Sequence, residues 1–148
     1  MRFTDPWPRW NSAGVEGIQA RKPINVLVTD DDRGVRRLVR EVLKNDGDIV
    51  IVGEAVNGQE AVALVDEHQP DVVIMDIDMP LLNGLQATAK ILAAHAQTKV
   101  VMFSANTGQS VIESAFSNGA AGFVAKHESA QLSHAIRAVS QGHLFLGS

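Results

Sequence analysis

The stretch Pro70-Asp-Val-Val-Ile-Met-Asp-Ile-Asp-Met-Pro-Leu-Leu-Asn-Gly84 sets a four-residue apolar run, Val72 to Met75, directly ahead of Asp76, Asp78 and Pro80. Such a run, without polar alternation, suits a strand covered on both faces, as in a parallel sheet. Four more runs of the same character surround it: Ile24-Asn-Val-Leu-Val28, Ile49-Val-Ile-Val52, Val100-Val-Met-Phe103 and Gly122-Phe-Val-Ala125.

Amphipathic stretches separate the runs. Val35, Leu38, Val39, Val42 and Leu43 fall on one helical stripe, with Asp32 placed to cap it. Asn57 with Glu60 resembles a capping box and opens a helix bearing Ala61, Leu64 and Val65. Leu85 to Ala94 predicts a third helix. Val111, Ile112, Ala115 and Phe116 mark a fourth, stopped near Asn118-Gly119. Leu132, Ala135, Ile136 and Val139 mark a fifth, stopped near Gly142. Five consecutive β-α units predict an α/β domain with helices on both faces of a parallel sheet.

Ligand sites in open α/β sheets lie at the carboxyl ends of the strands, where the strand order reverses. Asp30, Asp31 and Asp32 follow the first run, and Asp76 and Asp78 follow the third. Ser104 ends the fourth and Lys126 the fifth. Each alone reads equally well as a loop, cap or strand-end residue. Together they bring carboxylates, a hydroxyl and an ammonium to one edge. Clustered carboxylates repel and lose hydration, so the arrangement calls for a cation. Hard oxygen ligands suit Mg²⁺ or a similar ion, which takes one or two carboxylates, waters and phosphate oxygens. Phosphoryl transfer needs little beyond such positioning and charge neutralisation.

Composition narrows the remaining classes. The 148 residues amount to about one domain, 45% hydrophobic and 20% charged, with a formal net charge of -4. That charge does not favour nucleic acid or an anionic membrane. The absence of cysteine excludes a disulfide framework, a thiolate metal site and a cysteine nucleophile. No apolar run approaches the roughly 20 residues that span a bilayer, and the N-terminus lacks a signal-peptide pattern. The expected compartment is the cytoplasm, without membrane association. Residues 1–22 read as a flexible tail carrying both tryptophans, Trp7 and Trp10, with a weak helix around Val15 to Arg21. His68, His95, His127, His134 and His143 show no metal-ligand spacing.

Four separated elements agree in order and spacing with a known family. Val26-Leu-Val-Thr-Asp-Asp31, Pro70 to Gly84, Phe103-Ser-Ala105 and Gly119-Ala-Ala-Gly-Phe-Val-Ala-Lys126 resemble the receiver domains of two-component response regulators. The resemblance spans about residues 24–142. It implies a flavodoxin-like (βα)5 fold: a doubly wound, five-stranded parallel sheet with helices on both faces. It also implies that Asp76 is the phospho-acceptor. Asp30, Asp31, Asp76 and the backbone carbonyl of Asp78 would hold Mg²⁺ (or Mn²⁺). Ser104 and Lys126 would contact the phosphoryl group, Phe123 would be the aromatic that turns inward on activation, and Ala105 would leave access. Asp78 and Asn106 stand where relatives tune phosphoryl lifetime. Phe123 departs from the tyrosine frequent in relatives.

The last fifty residues resemble the NarL/FixJ-like subgroup, whose members carry a C-terminal DNA-binding domain. The implied organisation is a tail at 1–22, a receiver at 23–142 and, at 143–148, the start of a linker to an output domain absent from this chain. Implied partners are a sensor histidine kinase and a second copy on phosphorylation, with DNA reached only through the absent domain. Such a receiver catalyses its own phosphorylation and dephosphorylation only. Two alternatives are a stand-alone or phosphorylation-independent module of the same fold, and a haloacid-dehalogenase-like phosphatase. The latter motif expects Thr or Val where Pro80 stands.

Overall fold

The computed structural model describes residues 22–147. The readings of Trp7, Trp10 and the helix around Val15 to Arg21 lie outside the described residues. Strands β1 (Ile24–Thr29), β2 (Ile49–Ala55), β3 (Val72–Met75), β4 (Lys99–Ser104) and β5 (Gly122–Ala125) alternate with helices. These are α1 (Arg33–Leu43), α2 (Gly58–His68), α3 (Gly84–Ala94), α4 (Gln109–Ser117) and α5 (Leu132–Ser140). A 3-10 segment, Lys126–Gln131, leads into α5.

The strands are parallel, in the order β2-β1-β3-β4-β5. The chain passes from β1 outward to β2, then back across β1 to β3. The reversal therefore opens a crevice between the carboxyl ends of β1 and β3. This is the flavodoxin-like doubly wound arrangement. The structure adds one strand to the five expected: β6 (Phe145–Leu146) pairs with Gly122 and Phe123 on the outer edge of β5. Residues 143–148, read as the start of a linker, thus contain a short piece of sheet.

The apolar runs are continuous because both faces are covered. Leu27, Val73, Met75, Val100, Met102 and Phe123 enter one core with Ala61, Val65, Ala87, Ile91 and Ala115 of α2, α3 and α4. Val26, Val28, Val72, Ile74, Val101, Phe103 and Val124 enter the other with Val39, Leu43, Leu132 and Ile136 of α1 and α5. Successive strand residues alternate between the two cores, as the pleat requires.

The helix starts follow the side chains. Asp32 caps α1 by accepting from the Gly34 amide at 2.7 Å. Asn57 caps α2 by accepting from Glu60 N at 2.8 Å. The return arm differs from the expectation: Glu60 accepts from Val56 N at 2.8 Å, one residue before the cap. The reciprocal capping box is instead at α3, between Asn83 and Gln86. Gly119 and Gly142, with φ of +102° and +92°, end α4 and α5 at the expected places.

Candidate functional site

The crevice between β1 and β3 gathers the acids. Asp30 leaves β1 with its amide bonded to Ala55 O at 3.1 Å, and the Asp76 amide bonds to Thr29 O at 3.0 Å. The sheet ladder thus carries both aspartates to its edge. One carboxylate oxygen each from Asp30, Asp31 and Asp76 can be chosen so that all three lie within 4.8 Å of one another. Asp30 and Asp76 are buried, whereas Asp31 is exposed.

Lys126, immediately beyond β5, reaches across to both buried acids. Its Nζ lies 2.8 Å from Asp30 Oδ2 and 3.2 Å from Asp76 Oδ1. Asp30 Oδ1 accepts from the Asp32 amide at 2.9 Å. The main-chain carbonyl of Asp30 accepts from Arg36 Nη1 at 2.7 Å.

The charges in this crevice do not balance. Burial, and then the neighbouring Asp30 carboxylate, push the Asp76 carboxyl up to about 6, against the opposing pull of Lys126. Burial also works against the Lys126 ammonium, but its bond with Asp30 and the charges of Asp30 and Asp76 hold it above its ordinary value. Three acids facing one ammonium form a site with spare negative charge and oxygen donors only. That donor set fits a hard divalent cation such as Mg²⁺.

The loop after β3 is held by contacts that exclude side chains. A Cβ on Gly84 would sit 2.0 Å from Asp76 O, and one on Gly58 would sit 2.2 Å from Leu82 O. Gly84 N also bonds to Ile77 O at 2.8 Å. The two glycines let the starts of α2 and α3 close on the loop that carries Asp76. Leu81 at its tip is exposed and takes a positive φ of 71°, a costly conformation for a branched side chain.

The other expected residues are placed as follows. Ser104 is buried at the end of β4, and its hydroxyl both donates to Asn106 O and accepts from Asn106 N, each at 3.0 Å. These bonds run to the loop rather than to the acids. Asn106 is exposed and its Oδ1 accepts from Gly108 N at 3.1 Å. Asp78 and Ala105 are exposed. Phe123 is buried, facing the α2–α4 core, and lines a cavity of about 260 Å³ with Thr107, Ile112, Ala125, His127 and Gly147. Its carbonyl accepts from Gly147 N at 2.9 Å, which ties the end of β6 to this residue.

Sequence reading missed Arg36 and Gly58. Arg36 lies among several arginines on the polar side of α1, and no spacing marks it. Gly58 follows a capping residue and carries no signal beyond that.

Comparison with known proteins agrees with this geometry. The response regulator receiver domain profile matches residues 26–137. Chemotaxis protein CheY of Listeria monocytogenes is 40% identical over 103 residues, which cover 70% of this chain and 86% of CheY. Response regulator UvrY of Escherichia coli is 37% identical over 126 residues, 84% of this chain and 58% of UvrY. The signal receiver domain of NarL from Mycobacterium tuberculosis superposes with a TM-score of 0.79 at 31% identity, covering 82% of this chain and 99% of that one. The chain spans 28% of the length of a protein-glutamate methylesterase/protein-glutamine glutaminase of Methanococcus maripaludis, matched at 39% identity. A parallel sheet of this order, an acid cluster at its switch point and these matches, which include NarL-type regulators in line with the resemblance of the last fifty residues, together establish that the chain belongs to the response regulator receiver domain family.

Proposed function

We propose that the domain is a phosphorylation-dependent switch with Asp76 as the acceptor. The observation that carries this reading is the excess of carboxylate over cation around a buried Asp76. Asp30, Asp31, Asp76 and the backbone carbonyl of Asp78 would hold Mg²⁺ or Mn²⁺. When bound, the ion would neutralise charge on the acids and the incoming phosphoryl oxygens.

The chain's own groups supply the rest. An Asp76 oxygen attacks phosphorus, and the bond from phosphorus to the donor breaks. With a phosphohistidine donor the imidazole nitrogen keeps the electron pair; with acetyl phosphate the acetate oxygen does. Lys126, already against Asp76, pairs with a phosphoryl oxygen. The modification adds roughly -1.5 to -2 charges at the edge of the sheet. Ser104 exchanges its bonds to Asn106 for the phosphoryl group and draws the β4–α4 loop inward. Phe123 follows this movement, and the surface of α4, β5 and α5 changes its affinity for partners.

A sensor histidine kinase is the proposed donor, and a second copy the proposed partner of the phosphorylated form. Residues 143–148 lead toward a DNA-binding output domain outside this chain, which would make the switch a transcriptional one. Asp78 and Asn106 tune phosphoryl lifetime, and Ala105 leaves the approach open.

The test is stoichiometric labelling by radiolabelled acetyl phosphate in the presence of Mg²⁺. The label is expected to vanish with Asp76→Asn and with chelation of the metal. Label that persists at the parent level in Asp76→Asn sinks the assignment. Continuous turnover of a phosphomonoester would favour the phosphatase alternative.

A further inference from the structure

Asp31 is exposed, and the main chain that it shares with Asp30 sets where its side chain leaves the backbone. The carbonyl of Asp30 lies beyond the last β1 residue, where the ladder no longer supplies a donor. Arg36 supplies one: its Nη1 donates to Asp30 O at 2.7 Å, while its Nε donates to Glu54 Oε1 at 3.1 Å. The Arg36 side chain is 14% exposed, and Glu54 near the end of β2 is held a second time by Arg40. The guanidinium thus bridges the start of the acidic loop to the neighbouring strand. Its planar fork can serve both acceptors at once, and an ammonium cannot reproduce that geometry.

We infer that Arg36 is a positioning residue for divalent-cation binding. It fixes the Asp30 peptide so that the Asp30 and Asp31 carboxylates converge on Asp76. This rests on the metal-dependent switch proposed above and extends it to a residue outside the acid cluster. Asp30 is then held at its amide by Ala55, at its carboxylate by Asp32 N and Lys126, and at its carbonyl by Arg36. Loss of the last tether frees the peptide to rotate and carries Asp31 with it.

The charge of Arg36 makes the idea testable by sign. A guanidinium near three acids repels a divalent cation, so on charge alone its removal would tighten Mg²⁺ binding. Positioning requires the opposite. Mg²⁺ affinity is measured by titration calorimetry, with the melting temperature in chelator recorded alongside. Arg36→Gln is expected to weaken Mg²⁺ binding about tenfold, as loss of outer-shell support does in other metal sites. Arg36→Lys is expected to weaken it nearly as much, since it keeps the charge and loses the fork. Glu54→Gln, which loosens the far end of the bridge, should cost a smaller factor in the same direction. Because it also removes a negative charge, it is measured at low and high salt, where a loss from charge alone is screened out and a loss from positioning persists. In that form it carries the test if the Arg36 variants do not fold.

Mg²⁺ affinity that is unchanged or tighter in Arg36→Gln overturns the inference, as does full affinity in Arg36→Lys. A lowered melting temperature with unaltered Mg²⁺ affinity also overturns it, because the role would then be structural. If the parent protein itself binds no Mg²⁺, the proposed switch fails, a result separate from any difference among variants.

Discussion

At the carboxyl edge of the sheet, Asp30, Asp31 and Asp76 face Lys126; near its amino edge, Asp46 and Asp48 of the α1–β2 loop face Arg137 and Ser133 of α5. The residue types are nearly the same and the outcomes are opposite. Arg137 donates from Nε to Asp48 Oδ2 at 2.8 Å, and from Nη2 to Asp48 Oδ1 at 2.9 Å and Asp46 Oδ1 at 2.7 Å. Ser133 donates to Asp46 Oδ2 at 2.6 Å. Donors match acceptors there. The Ser133 hydroxyl, and after it Arg137, hold the Asp46 carboxyl below its ordinary value, and the bonds to Asp48 and Asp46 raise Arg137. In the crevice Asp30 and Asp76 are buried, three acids share one ammonium, and burial pushes Asp76 up instead. A matched network near the surface fastens two elements, and an unmatched one in a crevice is poised to take a further ligand.

The largest effect is expected at Lys126. Replacing it with Leu leaves Asp30 and Asp76 buried without their cation, and should cost about 3 kcal/mol of stability in chelator. Added Mg²⁺ should recover part of that loss, read as a larger metal-induced rise in melting temperature than the parent shows.

Removing an acid should act in the other direction. Asp76→Asn relieves the repulsion and is expected to stabilise the metal-free protein at neutral pH by about 1–3 kcal/mol, measured by denaturant unfolding. The same imbalance gives a pH signature. An unfolded Asp ionises near 3.8 and folded Asp76 near 6. Between those values the folded state holds the extra proton, so stability from this group rises as pH falls from about 6 toward 4. Asp46 has the reverse sign. Its depressed value contributes stability above the ordinary carboxyl range, which is lost as pH falls through its folded value. Asp76→Asn should therefore lose the rise and keep the acid loss. An unfolding profile identical to the parent's between pH 4 and 6 would remove the basis of the contrast.

The smallest effect belongs to the matched network. Arg137 is partly exposed, so Arg137→Leu should cost about 1 kcal/mol or less, diminishing further with salt. Mg²⁺ affinity and labelling should stay at parent levels. A fall in either would mean that the amino-edge network also supports the crevice.

Much of the architecture was readable in the chain itself. Val72–Met75 and Gly122–Ala125 appear as strands with the expected bounds, and Asp32 and Asn57 cap the helices assigned to them. These features are local: apolar continuity and cap chemistry act within a few residues. The extra strand at Phe145–Leu146 escaped notice because two residues carry no period, and only the free edge of β5 makes a strand of them. Glu60 pairs with Val56 N rather than with the cap residue because the backbone ahead of α2 decides which amide it meets.

The chain alone determined that five apolar runs alternate with amphipathic helices and that acids follow the first and third runs. Hydrophobic burial and helix capping operate on neighbouring residues, so order and composition suffice to specify them. Which acid is buried, how far Lys126 reaches and that Arg36 grips the Asp30 peptide were decided only by tertiary packing. Charges act through space, and their energies depend on distance and on the water excluded around them, quantities that exist only once β1, β3 and β5 are assembled into one sheet.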